Sequence, residues 1–166
     1  MTAPGAKPIR CWPPGSGRGF TLLEVMLVVL IAGLMAGIAW PRYAASLAEY
    51  RADAAARRFA ADLNLVKSHA RLTSASQTLV VASVSTYTLP GLRPLDGSAG
   101  TYAVDLSSDH YASTLTLPPS IVSVGGTVRF DAMGSPAVPG SIIIRSGPAR
   151  RTVTIDAAGH ITITRP

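Results

Sequence analysis

The chain has a single cysteine, Cys11, in 166 residues. No disulfide can form within it, and no set of thiolates can hold zinc or carry a Cys-x-x-Cys redox couple. Histidine is nearly as scarce. His69, His110 and His160 are scattered, and none has a second His, Cys or carboxylate at a metal-ligand spacing. Aromatic residues make up 6% of the chain, and none lies between Phe130 and Pro166, which leaves the C-terminal part without stacking platforms for single-stranded nucleic acid. Acids are also few: 9 against 15 Lys and Arg, for a formal net charge of +6. Charge alone is a weak argument for nucleic acid as a partner. There is no Ser/His/Asp arrangement, phosphate-binding glycine loop or pair of catalytic carboxylates. No internal repeat or useful heptad is present either. These absences point away from an enzyme and from a metal- or cofactor-dependent protein.

What the chain does have is one long apolar run. After Arg18-Gly19 it proceeds from Phe20 to Trp40, interrupted by a single acid, Glu24. That is about the ~20 residues a helix needs to cross a hydrocarbon core of ~30 Å. A carboxylate inside such a helix costs about 2.5–3.5 kcal/mol on insertion scales, so Glu24 requires a reason. The stretch before it is rich in Pro and Gly (Pro4, Pro8, Pro13, Pro14, Gly15, Gly17) and carries Lys7, Arg10 and Arg18 without any acid. An ordinary secretory signal has its apolar region before the cleavage site; here the apolar run follows the basic residue and glycine.

The junction Gly19-Phe20-Thr21-Leu22-Leu23-Glu24 in front of an apolar helix resembles the class III signal of type IV pilins and pseudopilins. The resemblance implies that a prepilin peptidase cuts between Gly19 and Phe20 and that the new N-terminal Phe20 is methylated. Gly19, lacking a side chain, allows close approach to the backbone. Glu24 becomes the fifth residue of the mature protein, and the resemblance gives it an assembly role: it meets the N-terminal ammonium of a neighbouring subunit inside an apolar helix bundle, which neutralises both charges and fixes axial register. Removing residues 1–19 takes Cys11 and three basic residues with it, leaving 12 basic against 9 acidic side chains. Lys/Arg counting does not settle orientation, because Arg42, Arg51, Arg57 and Arg58 lie beyond the run on the other side. The resemblance requires a cytoplasmic leader. Gly33 and Gly37 form a small-xxx-small pair of the kind that permits close helix approach and also arises by chance.

Beyond the run, Pro41 lacks the donor for one helical hydrogen bond and is expected to kink or loosen a helix that continues past it. Residues 43–74 contain no Gly or Pro, and Ala52, Ala55, Phe59, Leu63, Val66 and Ala70 recur at spacings of three and four, one face of an amphipathic helix. Near residue 75 the pattern turns to alternating β-branched residues. Strands are expected over 77–82, 84–89, 101–106, 110–117, 126–131, 141–146, 151–156 and 160–164, with Pro90 to Gly100 as a loop. The last two flank Ala157-Ala158-Gly159, a hairpin whose glycine takes positive φ. Val153, Ile155, Ile161 and Ile163 alternate with polar residues, which suits a sheet with one buried face, covered by the amphipathic helix. One layer of strands and two are both compatible with this pattern.

The fold class expected is thus α+β and pilin-like. A leader spans 1–19, a transmembrane and assembly helix 20–40, an amphipathic helix 41–74, and an antiparallel sheet domain 75–166. Phe59-Ala60-Ala61-Asp62-Leu63, Ser68-His69-Ala70-Arg71, Val128-Arg129-Phe130-Asp131-Ala132-Met133-Gly134, Ser141-Ile142-Ile143-Ile144 and Arg151-Thr152-Val153-Thr154-Ile155-Asp156 with Gly159 are together similar to the GspH/FimT-type minor pseudopilin domain. That resemblance implies a non-enzymatic subunit of a type II secretion pseudopilus, single-pass in the bacterial inner membrane with its sheet domain periplasmic. Its partners would be other pseudopilins or pilins, the prepilin peptidase and membrane lipid, with no cofactor and no metal. The alternative is a minor pilin of a type IV pilus with a DNA-uptake role. For that reading, Arg145, Arg150, Arg151 and Arg165 are the candidate contacts to DNA phosphates. DNA-binding members of the family tend to carry Gly-Arg-x-Arg after the late glycine. This chain has Gly159-His160-Ile161-Thr162 instead, which favours arginines on a solvated sheet face.

Overall fold

In a computed structural model of the chain, the described residues are 19–94, 97, 99–118, 121 and 126–165. Lys7, Arg10, Cys11, Arg18 and Pro166 lie outside them. The chain divides into two compact units, Met1–Ala39 and Trp40–Pro166.

The helix α1 spans Leu22–Thr73 and includes Pro41. Its C-terminus is closed by the two bonds of a Schellman motif: the Ala75 N–H donates to the Ala70 carbonyl at 3.2 Å and the Ser74 N–H to the Arg71 carbonyl at 3.4 Å. The turn requires a left-handed residue, and that residue is Ser74 at φ 49° rather than glycine. Ser74→Gly is therefore expected to raise stability by about 0.5–1 kcal/mol, the relief of a left-handed non-glycine residue less its entropy cost; denaturant unfolding measures it.

Within the second unit, eight strands follow: β1 Gln77–Val81, β2 Thr86–Leu89, β3 Tyr102–Asp105, β4 Thr114–Thr116, β5 Thr127–Phe130, β6 Gly140–Ser146, β7 Ala149–Ile155 and β8 Ile161–Thr164. They form two four-stranded sheets, ordered β3-β2-β1-β5 and β4-β6-β7-β8, and every pairing is antiparallel. Each expected strand range overlaps one of these strands; β6 begins one residue before its expected range and β7 two residues before. The range 110–117 shortens to β4 because Tyr111 and Ala112 both donate to the Ser108 carbonyl in a turn, with Ala112 at φ 39°.

The helical stripe Ala52, Ala55, Phe59, Leu63, Val66 and Ala70 is buried, together with Ala56 and Ala60. From Ala55 onward it joins Leu79, Tyr87, Leu89, Val128, Phe130, Ile142, Ile144, Val153 and Ile155 in one core. Alternation along β7, where residues 149, 151, 153 and 155 are buried, is the period-two signature of a sheet with one covered face.

Two turns of the same design tie the sheets together. After β5, Asp131-Ala132-Met133-Gly134 closes with Gly134 N–H on the Asp131 carbonyl at 2.9 Å and Ser135 N–H on Asp131 Oδ1 at 2.8 Å. After β7, Asp156-Ala157-Ala158-Gly159 repeats it, with Gly159 N–H on the Asp156 carbonyl at 2.9 Å and His160 N–H on Asp156 Oδ1 at 2.7 Å. Both glycines have positive φ, 78° and 75°. The turns lie against each other, and two side chains of α1 bind them: Lys67 Nζ donates to the Gly159 carbonyl at 2.6 Å and Arg71 Nε to the Met133 carbonyl at 2.9 Å.

Candidate functional site

The N-terminal end of α1 is built around Thr21. Its hydroxyl accepts the Glu24 N–H at 3.2 Å, and its carbonyl accepts the Val25 N–H at 3.2 Å. Thr21 is thus the N-cap and Glu24 the third helical residue, the Thr-x-x-Glu pattern of a capping box. A carboxylate there also meets the positive end of the helix dipole. The sequence reading missed this local role of Glu24, although the four-residue spacing signals it.

The apolar residues of this segment are left exposed by the described residues. Phe20 is 79% exposed, Leu23 75%, Leu34 66% and Ile38 70%. The most apolar window of α1 has a mean hydropathy of 2.5 with none of it buried. Burying such surface is worth roughly 25 cal/mol per Å²; in this helix that gain is left to lipid or to other helices. Gly33 and Gly37 have nothing within 4 Å of an added Cβ.

In the second unit α1 carries two charged positions on its packed side. Asp62 is 4% exposed. It accepts the Tyr87 hydroxyl at 2.5 Å, the Tyr102 hydroxyl at 3.0 Å and Arg58 Nε at 3.2 Å; Arg58 also bonds the Tyr102 hydroxyl. Phe59 meets the Tyr87 ring edge-on at 5.1 Å. Burial pushes both tyrosine hydroxyls above their ordinary range, and the adjacent Asp62 charge and hydrogen bond add to it. The second position is Asp53, which pairs with Arg57 at 2.6 Å and Arg151 at 3.2 Å, with Arg165 at 3.8 Å. Burial raises the Asp53 carboxyl, but the Arg151 hydrogen bond and the charges of Arg57, Arg151 and Arg165 outweigh that and hold it below its ordinary value. A carboxyl lowered on folding supports stability above its unfolded value; that support is lost as pH falls below about 4 and through the lower folded value.

The sequence overlooked both positions. Asp62 falls inside the apolar stripe, between Phe59 and Val66, and Arg151 falls on the inward register of β7 with Val153 and Ile155. A charge at an apolar-face position is the signal in each case.

The four arginines do not form one surface. Arg145 and Arg150 are directly opposed across β6 and β7 and both exposed. Arg151, one residue on, faces the other way, is 5% exposed and is committed to Asp53. Arg165 lies beside Asp53 but is largely exposed. Arg151→Ala is therefore expected to cost about 2 kcal/mol, less than a fully buried pair because Asp53 keeps some solvent. Arg165→Ala is expected within about 0.5 kcal/mol of the parent. Denaturant midpoints of the two variants distinguish them.

His160 pairs its Nδ1 with Asp156 Oδ2 at 3.0 Å on the surface. His69 is half-buried on α1, and its Nδ1 has no hydrogen-bond partner. Among the described residues no group of three or more His, Cys, Asp or Glu is placed to hold a metal.

Comparison with known proteins agrees with this architecture. Residues 55–159 match the family described as Type II transport protein GspH, and residues 16–40 match the prokaryotic N-terminal methylation motif. No curated protein matches the chain. Among solved structures, the fold is similar to the type IV minor pilin FimU of Pseudomonas aeruginosa strain PAO1. In its P21 crystal form the TM-score is 0.52 at 17% identity, covering 68% of this chain and 87% of that one. It is likewise similar to the minor pseudopilin EpsH from the Type 2 Secretion System of Vibrio cholerae, with a TM-score of 0.50 at 15% identity, covering 70% of this chain and 98% of that one.

Proposed function

The chain belongs to the family of the type II transport protein GspH, and from that premise we propose that it is a minor pseudopilin of a type II secretion pseudopilus. It carries the N-terminal methylation motif on an apolar helix long enough to anchor it once in the inner membrane. In this reading prepilin peptidase cuts between Gly19 and Phe20, Phe20 is methylated, residues 20–40 join the helical core of the filament, and the unit beyond Trp40 stands in the periplasm. The protein is a structural subunit and the substrate of a processing enzyme rather than an enzyme itself.

The observation that carries the proposal is the bare apolar helix with one acid near its start. Glu24 needs a cation once lipid and neighbouring helices surround it. The ammonium exposed by cleavage, four positions before this acid in sequence and carried by the Phe20 of an adjacent subunit, is available to it. Capping the helix end does not remove that need, because the Thr21 bond uses the Glu24 N–H and not its carboxylate.

The test is an in-frame deletion complemented with the parent or with Glu24→Ala. Under the proposal, deletion traps folded exoproteins in the periplasm and the parent restores their release. Glu24→Ala is processed normally but does not restore secretion. Release by the Glu24→Ala strain would remove the assembly role of Glu24. An unchanged secretome on deletion would favour a minor pilin of a type IV pilus. For that second reading the nucleic-acid contacts reduce to Arg145, Arg150 and the exposed Arg165, since Arg151 is held by Asp53.

A further inference from the structure

The two sheets present four edges, and they are not treated alike. The edge of β5 is covered by its own following loop, through Ala137 N–H on the Arg129 carbonyl at 2.8 Å and a bridge between Phe130 and Pro136. The edge of β4 is met by the turn before β2, through Leu115 N–H on the Val84 carbonyl at 2.6 Å. The Tyr102 N–H of β3 bonds the Leu92 carbonyl at 3.2 Å on the β2 side, and the outer edge of β3 carries the exposed charge of Asp105. β8 has neither cover nor charge among the described residues: its backbone pairs with β7 and with nothing on the other side.

An open edge of this kind is ordinarily blunted by a charge, a proline or a bulge. β8 has none of these. Its sequence, Ile161-Thr162-Ile163-Thr164, is wholly β-branched and uncharged. Ile161 and Ile163 stand opposite the buried Ile155 and Val153, on the face turned to the core. Ile161 is packed against that core, but Ile163 is 38% exposed. An added strand would cover Ile163 and pair the free backbone groups together.

The charges around the edge specify what that strand should carry. At the C-terminal end of β8, Arg57, Arg151 and Arg165 share the single carboxylate of Asp53. Arg165 is the most distant of the three, and its side chain is 68% exposed. An incoming carboxylate beside Arg165 would complete that cluster.

We propose that the free edge of β8 is a strand-addition site for an extended segment of another protein chain. That segment alternates apolar and hydroxyl-bearing residues and ends in an acid that pairs with Arg165. Main-chain bonds to the open edge supply its affinity, and the Ile163 contact and the acid supply its register. The site is separate from the helix-mediated assembly proposed above and is expected intact in Glu24→Ala.

The test uses the full chain in detergent micelles and a synthetic hexapeptide alternating valine and threonine and ending in glutamate. Amide hydrogen exchange across residues 161–164 should slow by about tenfold or more at saturating peptide. A lysine-ended peptide should bind about tenfold more weakly, and Arg165→Glu should reverse that preference. The variant also controls for folding, because Arg165 is exposed and the exchange of the core strands should be unchanged. Unaltered exchange at millimolar peptide would overturn the proposal. Equal binding of both peptides would overturn the acidic partner. Protection of β8 that appears with protein concentration alone would make the occupant a second copy of this chain, which also overturns it.

Discussion

Gly159→Ala is expected to lower stability by about 3 kcal/mol or more, a large fraction of the margin of a small domain. Two costs combine. The residue sits at φ +75°, where a side chain is strained by about 1–2 kcal/mol. A Cβ there would also stand 2.4 Å from the Gly134 carbonyl oxygen, a backbone atom of the twin turn. Backbone cannot swing away as a side chain can, so the two turns must separate. That movement withdraws the Gly159 carbonyl from Lys67. Gly134→Ala offers a contrast. Its φ of +78° carries the same strain, but its nearest obstacle is Arg71 Nε at 2.5 Å, on a flexible side chain. Arg71→Ala should therefore relieve part of the Gly134→Ala cost and none of the Gly159→Ala cost. Thermal unfolding reads both, at roughly 4 °C per kcal/mol for a domain of this size. A Gly159→Ala variant within 1 kcal/mol of the parent would show that the turns are not in contact.

Asp62→Ala is expected to cost about 3–4 kcal/mol. Truncation leaves the Tyr87 and Tyr102 hydroxyls without their carboxylate acceptor and Arg58 without its ion pair, and breaking a buried charged network leaves the surviving partners uncompensated. Asp62→Asn keeps the shape and one acceptor and should cost about half as much. Tyr87→Phe removes one donor but keeps the edge-on contact with Phe59, and should cost about 1–1.5 kcal/mol. The same network sets an alkaline limit. Tyr87 and Tyr102 are raised on folding, by burial first and by Asp62 second. A group raised on folding gives its full support below its unfolded value, near pH 10 for tyrosine, and loses it as pH rises beyond. The parent should therefore unfold more readily above about pH 10. Tyr87→Phe should lose part of that dependence, because one of the two responsible hydroxyls is gone. An identical alkaline profile for both proteins would place the transition elsewhere.

The N-terminal half was read from local chemistry. The glycine, the apolar run and its single acid specify a bare helix with a defined start because a membrane span is defined by composition along one element. The amphipathic stripe from Ala52 to Ala70, the eight strands and the positive φ of Gly159 also follow from periodicity and turn chemistry, which act within a few residues. Single-residue alternation could not decide between one sheet and two. That division depends on which strands pair: β4 joins β6 rather than β3, and β5 returns to β1.

The charged positions mark the boundary more sharply. Asp62 and Arg151 stand out in sequence only as charges at apolar-face positions, and nothing local names their partners. Asp62 is buried because two tyrosines, 25 and 40 residues away, bring hydroxyls to it, and Arg151 because the inward register of β7 meets Asp53 from 98 residues away. A buried charge is tolerable only where its partners converge, and convergence belongs to the tertiary structure. Local sequence thus specifies the elements, the long apolar helix and the family. Packing decided which charges hold the fold, which arginines are free, and which sheet edge is left open.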